Sequence, residues 1–211
     1  MANPPIYGLT GNMGCGKSTV AEFFGKFKDV VVFNADQIAK ELLCEEQYSQ
    51  RLQQLLGPHV FSKGKIDIGK VAQLVFSDYK ALRKLESFIH PLTWNSICER
   101  MKEHAKISFF LVETALIYET EWQRFFKAVI VVTCDKAQQY HRLRSYRSLS
   151  DREIDRRLKR QLANEEKVKR ADFVIDTTCS LEEVENKACR LYYHLKGGVK
   201  NEEDRCLPRH F

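Results

Sequence analysis

The chain has 211 residues, is 44% hydrophobic and 29% charged, and carries a formal net charge of +6. This length supports one sizeable core with room for an inserted part, and no stretch approaches the ~20 apolar residues of a membrane span. The opening Met-Ala-Asn-Pro-Pro lacks the charged and apolar regions of a secretory signal, so a cytoplasmic protein without membrane attachment is expected. Seven cysteines at wide spacing, with no C-x-x-C pair, argue against a disulfide framework and against a zinc site.

Along the chain, Ile6-Tyr7-Gly8-Leu9-Thr10 is a short apolar run of strand length. It leads into G-N-M-G-C-G-K-S at residues 11–18, which fits the phosphate-loop pattern G-x-x-x-x-G-K-[ST] at every fixed position. Gly11, Gly14 and Gly16 take backbone angles that a side chain would forbid, turning N–H groups toward phosphate oxygens. Lys17 puts a positive charge on the β and γ phosphates of ATP, and Ser18 offers a hydroxyl to Mg²⁺. Asn12, Met13, Cys15 and Thr19 complete the expected ATP site. Cys15 sits where Lys17 and a helix N-terminus favour a thiolate, although a small residue that fits the loop is the simpler reading. A helix over Ser18–Phe27 follows, with Val20, Phe23, Phe24 and Phe27 on one face.

Val30 to Phe33 reads as a buried parallel strand, followed by Asn34-Ala35-Asp36. Residues 37–106 show helical periodicity and no strand signal. Gly57-Pro58 and Ser62-Lys63-Gly64 read there as turns, and His90-Pro91 as a helix boundary, since a residue before proline avoids the helical region. Further strands are Ser108–Val112 ending on Glu113, Ala128–Thr133, and Phe173–Ile175 ending on Asp176. Helices are expected over Asp135–Tyr146, Ser150–Gln161 and Leu181–Leu195, the last opened by a Ser180/Glu183 capping box. Residues 196–211 read as a mobile tail.

This alternation predicts an α/β fold: a five-stranded parallel sheet with helices on both faces, of the P-loop NTPase type. The expected organisation is a nucleotide-binding core from 1–36 and 107–195, a basic lid over about 142–160, and a helical acceptor-binding insertion over 37–106. In such sheets ligands bind outside the carboxyl ends of the strands, where the phosphate loop, Asp36 and Glu113 are expected to converge. Asp36 can take the proton of an attacking hydroxyl; capping the helix Gln37–Leu43 is its competing role. Glu113 ends its strand as a Walker-B acid does, holding a metal-bound water, or else is an ordinary strand-end acid. In the basic cluster after residue 141, Arg142 and Arg147 are the candidates for the transferring phosphoryl and ATP, the other basic residues forming a solvated face. That charge suits a small polyanion as well as RNA or DNA, and no nucleic-acid or obligatory protein partner is expected. His90 alone reads as structural more readily than as a ligand contact.

Several of these stretches together resemble the dephospho-coenzyme A kinase family: Gly8 to Ala21, Asn34-Ala35-Asp36, Leu85-Glu86-Ser87-Phe88-Ile89-His90-Pro91, Glu113 to Glu119, Arg142-Leu143 with Arg147, Gln161, Lys167, and Ala171 to Asp176. The resemblance implies transfer of the ATP γ-phosphate to the ribose 3′-hydroxyl of dephospho-coenzyme A, with Mg²⁺. It makes Asp36 the base, and Asp36 and His90 binding residues for the acceptor. Against the family pattern the chain has Asn34 and Glu113 for aspartates, Ala115 for proline, Ile68 for arginine and Thr177 for asparagine. Another small P-loop kinase, acting on a nucleoside monophosphate or a small alcohol, remains an alternative, as does a nucleotide-binding module with weakened catalysis. A guanine-specific GTPase is disfavoured, because Thr133-Cys134-Asp135-Lys136 is not the base-reading Asn-Lys-x-Asp.

Overall fold

The computed structural model of the chain describes residues 3–197; the expected tail falls, from 198 on, outside the described residues. Its strands are β1 (Ile6–Thr10), β2 (Val30–Asn34), β3 (Phe61–Ser62), β4 (Lys65–Ile66), β5 (Phe109–Glu113), β6 (Ala128–Thr133) and β7 (Phe173–Asp176). Its α-helices are α1 (Lys17–Gly25), α2 (Ala35–Leu43), α3 (Glu46–Leu56), α4 (Ile68–Ser77), α5 (Tyr79–Lys102), α6 (Lys136–Arg147), α7 (Asp151–Leu158), α8 (Asn164–Arg170) and α9 (Leu181–Leu195). The chain divides into two compact units. One holds the residues up to Phe33 and those from Lys106 onward; the other is Asn34–Ala105. The stretch Asn34–Asp36, expected in the core, thus belongs with the second unit.

In the first unit five strands form a parallel sheet in the order β2-β5-β1-β6-β7. Alternate residues point to one face, as the period of two requires. Tyr7 and Leu9, Phe109 and Leu111, Ile130 and Val132, and Ile175 share a core with Val20, Phe23 and Phe24 of α1 and with Val184, Ala188, Leu191 and Tyr192 of α9. Each such large side chain contributes about 1.5–3 kcal/mol on burial. The opposite face packs closely at Gly8, where an added Cβ would lie 2.6 Å from the Phe126 ring. α1 stops at Gly25, short of the expected Phe27. There Lys26 and Phe27 N–H turn back to the carbonyls of Phe23 and Phe24, tightening the last turn. The expected Ser180/Glu183 capping box opens α9, and a second one, Ser150 with Glu153, opens α7.

In the second unit α2, α3 and α4 pack on α5. Two expectations are corrected here. Residues 37–106 are not free of strand: β3 and β4 form a hairpin, pairing Phe61 with Ile66 and Ser62 with Lys65. Lys63 (φ 50°) and Gly64 (φ 77°) both take positive φ, the signature of a two-residue I′ turn. The second correction concerns Pro91, which lies inside α5 and ends nothing. Leu85, Ile89, Thr93, Ile97 and Met101 form a buried stripe at four-residue spacing that runs straight past it, with Pro91 on the exposed side. Four apolar anchors at about 1.5–3 kcal/mol each outweigh the ~3 kcal/mol cost of an interior proline. Among the described residues no helix is long and apolar enough to cross a membrane.

Candidate active site

The phosphate loop is a backbone construction. β1 ends at Thr10 and α1 begins at Lys17, with Gly16 in the left-handed region (φ 82°) as the residue before the helix. At Gly11 (φ 151°) an added Cβ would sit 2.2 Å from the Val132 carbonyl oxygen, so no side chain fits. The Cys15 N–H closes a turn on the Asn12 carbonyl at 3.2 Å. A glycine loop that feeds a helix N-terminus presents main-chain N–H groups to an anion. The Lys17 ammonium reaches back along the loop, donating to the Asn12 carbonyl at 3.5 Å.

Two residues far apart in sequence meet beside this loop. The Ser18 hydroxyl donates to Glu113 Oε1 at 2.8 Å, and the Glu113 side chain is buried at the end of β5. A hydroxyl and a carboxylate are hard oxygen donors of the kind Mg²⁺ takes. Among the described residues no group of three or more His, Cys, Asp or Glu could hold a metal.

The loop is also gripped from outside by side chains to which sequence reasoning assigned no such role. The Met13 N–H donates to Gln161 Oε1 at 3.0 Å, and the Met13 carbonyl accepts from Gln139 Nε2 at 2.7 Å. The buried Thr177 hydroxyl lies 3.0 Å from the Cys15 carbonyl and accepts from Arg142 Nη1 at 2.8 Å. Arg142 Nη2 donates to the Thr177 carbonyl at 2.9 Å. The two expected lid arginines are therefore placed differently. Arg142 is half-buried beside Gly16, whereas Arg147 is exposed at the last residue of α6. Arg144 pairs through two hydrogen bonds with Asp151 at the start of α7. Lys167, fully buried, ties Glu119 (2.9 Å) to the Ala115 carbonyl (2.6 Å), bracing the segment that follows Glu113. Burial pushes the Lys167 ammonium below its ordinary value, against the upward pull of Glu119. A hydrogen bond from Cys134 and the Lys17 charge hold the Cys15 thiol below its ordinary value, although burial acts the other way. Gln161 and Lys167 carried a signal in the sequence as parts of a family pattern. Thr177 was marked only as a departure from that pattern, and Gln139 carried no signal, because nothing local distinguishes it from a surface polar residue.

In the second unit the cap of α2 is Asn34. Its side chain accepts from the Gln37 N–H at 2.8 Å. Asp36 lies in the first turn, exposed, and is not the cap. His90, half-buried on α5, feels the charges of Glu86, Arg83 and Asp36. Burial pushes its imidazole below the ordinary value, Glu86 and Asp36 pull it up, and Arg83 adds to the downward push. In this unit Asp67, the residue before Ile68, caps α4 by accepting from the Lys70 N–H at 3.1 Å.

A sequence model described as dephospho-CoA kinase matches residues 5–183. The chain belongs to the dephospho-CoA kinase family. It is 33% identical over 195 residues to the dephospho-CoA kinase of Lactobacillus acidophilus, covering 90% of this chain and 97% of that one. It is 32% identical over 198 residues to that of Thermus thermophilus, covering 94% and 95%. A crystal structure from Thermus thermophilus superposes with a TM-score of 0.81 at 30% identity, over 92% of this chain and 99% of the other. A dephospho-CoA kinase structure from Campylobacter jejuni gives 0.60 at 28% identity, over 93% and 100%. Shikimate kinase from Acinetobacter baumannii shares the fold alone, with a TM-score of 0.53 at 12% identity. As a member of a dephospho-CoA kinase family, the chain is a phosphotransferase with an alcohol acceptor.

The departures from the family pattern fall into place locally. Asn34 retains full capping ability, since Asn and Asp are equivalent caps. Glu113 reaches Ser18. Thr177 satisfies its hydroxyl as both donor and acceptor. Nothing in the structure explains Ile68 or Ala115.

Proposed function

We propose that this chain uses ATP to phosphorylate the ribose 3′-hydroxyl of dephospho-coenzyme A, giving coenzyme A and ADP, with Asp36 as the general base. The observation that carries the reading is the family match across residues 5–183, which spans both compact units and so includes residues 37–106 as well as the phosphate loop. Asp36 takes the proton from the 3′-hydroxyl as its oxygen attacks the γ-phosphorus, and the bond to the β,γ-bridging oxygen of ATP breaks. Phosphoryl transfer asks a protein mainly for positioning and charge stabilisation. Lys17 stabilises the negative charge on the transferring group. Main-chain N–H groups of the loop, those of Gly14 and Gly16 among them, hold the phosphates. Ser18 and Glu113 would hold Mg²⁺, which when bound neutralises phosphate charge. Arg142, set beside Gly16, and Arg147 on the exposed end of α6 supply cationic charge to ATP. His90, kept neutral by burial, hydrogen-bonds the acceptor.

The test is ADP release at saturating ATP and Mg²⁺ with no acceptor, with dephospho-coenzyme A, and with AMP, CMP or UMP. Turnover that depends on dephospho-coenzyme A and exceeds that with each nucleotide supports the reading. Faster transfer to a nucleoside monophosphate places the chain's activity with nucleotide kinases. Absence of turnover with every acceptor, despite ATP binding, makes it a binding module.

A further inference from the structure

The two glutamines that flank Met13 have no role in the reaction as derived so far, yet they occupy both polar groups of a residue inside the phosphate loop. Gln139 is buried one turn into α6, and its amide donates to the Met13 carbonyl at 2.7 Å. Gln161 lies just past α7, with its own N–H bonded to the Leu158 carbonyl at 2.9 Å, and its side-chain oxygen accepts from the Met13 N–H at 3.0 Å. A peptide unit is planar and trans, so a carbonyl and the next residue's N–H point in opposite directions. Fixing the Met13 carbonyl on the outside of the loop therefore aims the Gly14 N–H the other way. The Thr177 hydroxyl does the same to the Cys15 carbonyl at 3.0 Å, which aims the Gly16 N–H. These peptides adjoin Gly14 (φ 85°) and Gly16 (φ 82°), the residues with the softest dihedrals in the loop. External grips are what such a chain needs to hold one arrangement of N–H groups.

We infer that Gln161, acting with Gln139 and Thr177, is a positioning residue that sets the peptide planes of the phosphate loop and so pre-orients its N–H groups for phosphate. Gln161 lies three residues past α7, so the grip is exerted from the exit of the basic lid segment. The base of that segment and the phosphate loop form one mechanical piece. The inference rests on the proposed ATP site only for its nucleotide arm; the loop's geometry is independent of what the loop binds.

The experiment uses Cys15, buried at 1% exposure inside the loop, as a reporter. Alkylation of the full chain by iodoacetamide, without nucleotide, is timed by mass spectrometry of the peptide carrying Cys15, which separates it from the other cysteines. Gln161→Leu removes the acceptor at similar volume, and Gln161→Glu retains it. Circular dichroism checks that each variant is folded, and Gln161→Ala replaces Gln161→Leu if the latter is not. Leaving the half-buried Met13 N–H without its partner shifts a local equilibrium by up to about tenfold. Expected are about tenfold faster Cys15 alkylation and an about tenfold higher KM for ATP in Gln161→Leu, with kcat far less affected. Gln161→Glu should alkylate at close to the parent rate. It is read by alkylation only, because its charge would act on ATP directly. Parent-like alkylation and KM in folded Gln161→Leu would overturn the inference. So would equal acceleration in the Leu and Glu variants, or a loss of thermal stability unaccompanied by either change. Should no variant bind ATP while alkylation still separates Leu from Glu, the grip stands and the ATP site fails.

Discussion

In residues 11–18 the candidate groups are main-chain N–H donors, held by the loop glycines and by side chains from α6 and from the residues just past β7 and α7. In Asn34–Ala105 the candidate groups are the side chains of Asp36, exposed in the first turn of α2, and His90, half-buried on α5. The first arrangement is fixed by covalent geometry and long-range hydrogen bonds. The second is an ordinary helical surface on which chemistry depends on residue identity alone. The contrast explains why the loop announces itself as a spacing of residue types, while the candidate groups of the second unit are picked out only through a family pattern. It also predicts different responses to mutation.

The largest effect belongs to the one side chain in the loop that carries charge to the reaction. Lys17→Ala should lower kcat by on the order of 10²-fold or more while the protein stays folded, because it removes a cation from the developing phosphoryl charge. A folded variant with near-parent turnover would dissolve the difference between the loop and any glycine turn. Next comes Asp36→Asn. Loss of a general base costs about 10²–10⁴-fold in rate, and here it should leave the melting temperature and the KM for ATP nearly unchanged, since Asn34 and not Asp36 caps α2. Intact turnover with a lowered melting temperature would make Asp36 a structural residue.

The neighbouring cap sharpens the comparison from the stability side. Asn34→Ala should cost about 1 kcal/mol by chemical denaturation, whereas Asn34→Asp should be close to neutral. If Asn34→Ala were neutral too, α2 would start independently of its cap, and the tolerance of asparagine at this position would need another cause. The smallest effect is a pH dependence inside the first unit. Burial raises the Asp29 carboxyl, but Lys196, Ser108 and Tyr192 donate hydrogen bonds that outweigh it and hold the group well below the usual carboxylate range. Lys196 Nζ lies 2.6 Å and the Tyr192 hydroxyl 2.7 Å from its oxygens, joining the start of β5 to the end of α9. The folded state then binds fewer protons than the unfolded one, so stability rises with pH across this window. The contribution is present in full above about pH 4, the unfolded value, and is lost as pH falls through the folded one. Asp29→Asn should flatten the acid limb of a melting-temperature profile; an unchanged limb would show that other carboxylates set it.

The comparison also marks what was readable beforehand. The five sheet strands lie within a residue of their expected bounds, because buried parallel strands are continuous apolar runs. α9 begins and ends as expected, with its capping box. The β3–β4 hairpin escaped because two-residue strands are too short to show alternation, and only Lys63-Gly64 hinted at it. Pro91 misled because local preference favours a break, while the stripe from Leu85 to Met101 holds α5 together through packing. At the site, Lys17 and Ser18 were legible from spacing, and Glu113, 95 residues from Ser18, was legible as the acid that ends an apolar strand at the same sheet edge. The grips on Met13 span 126 and 148 residues. No local pattern encodes such contacts; the fold creates them.

The most direct test of the whole account is the product itself. Dephospho-coenzyme A, ATP and Mg²⁺ are incubated with the full chain, and the product is analysed by mass spectrometry and phosphorus NMR. The account predicts a gain of one phosphoryl group, seen as a new phosphomonoester on the ribose 3′-oxygen, with one ADP formed per product and both lost in Lys17→Ala. A phosphoryl group on any other oxygen, or ADP formed without a phosphorylated product, would contradict it.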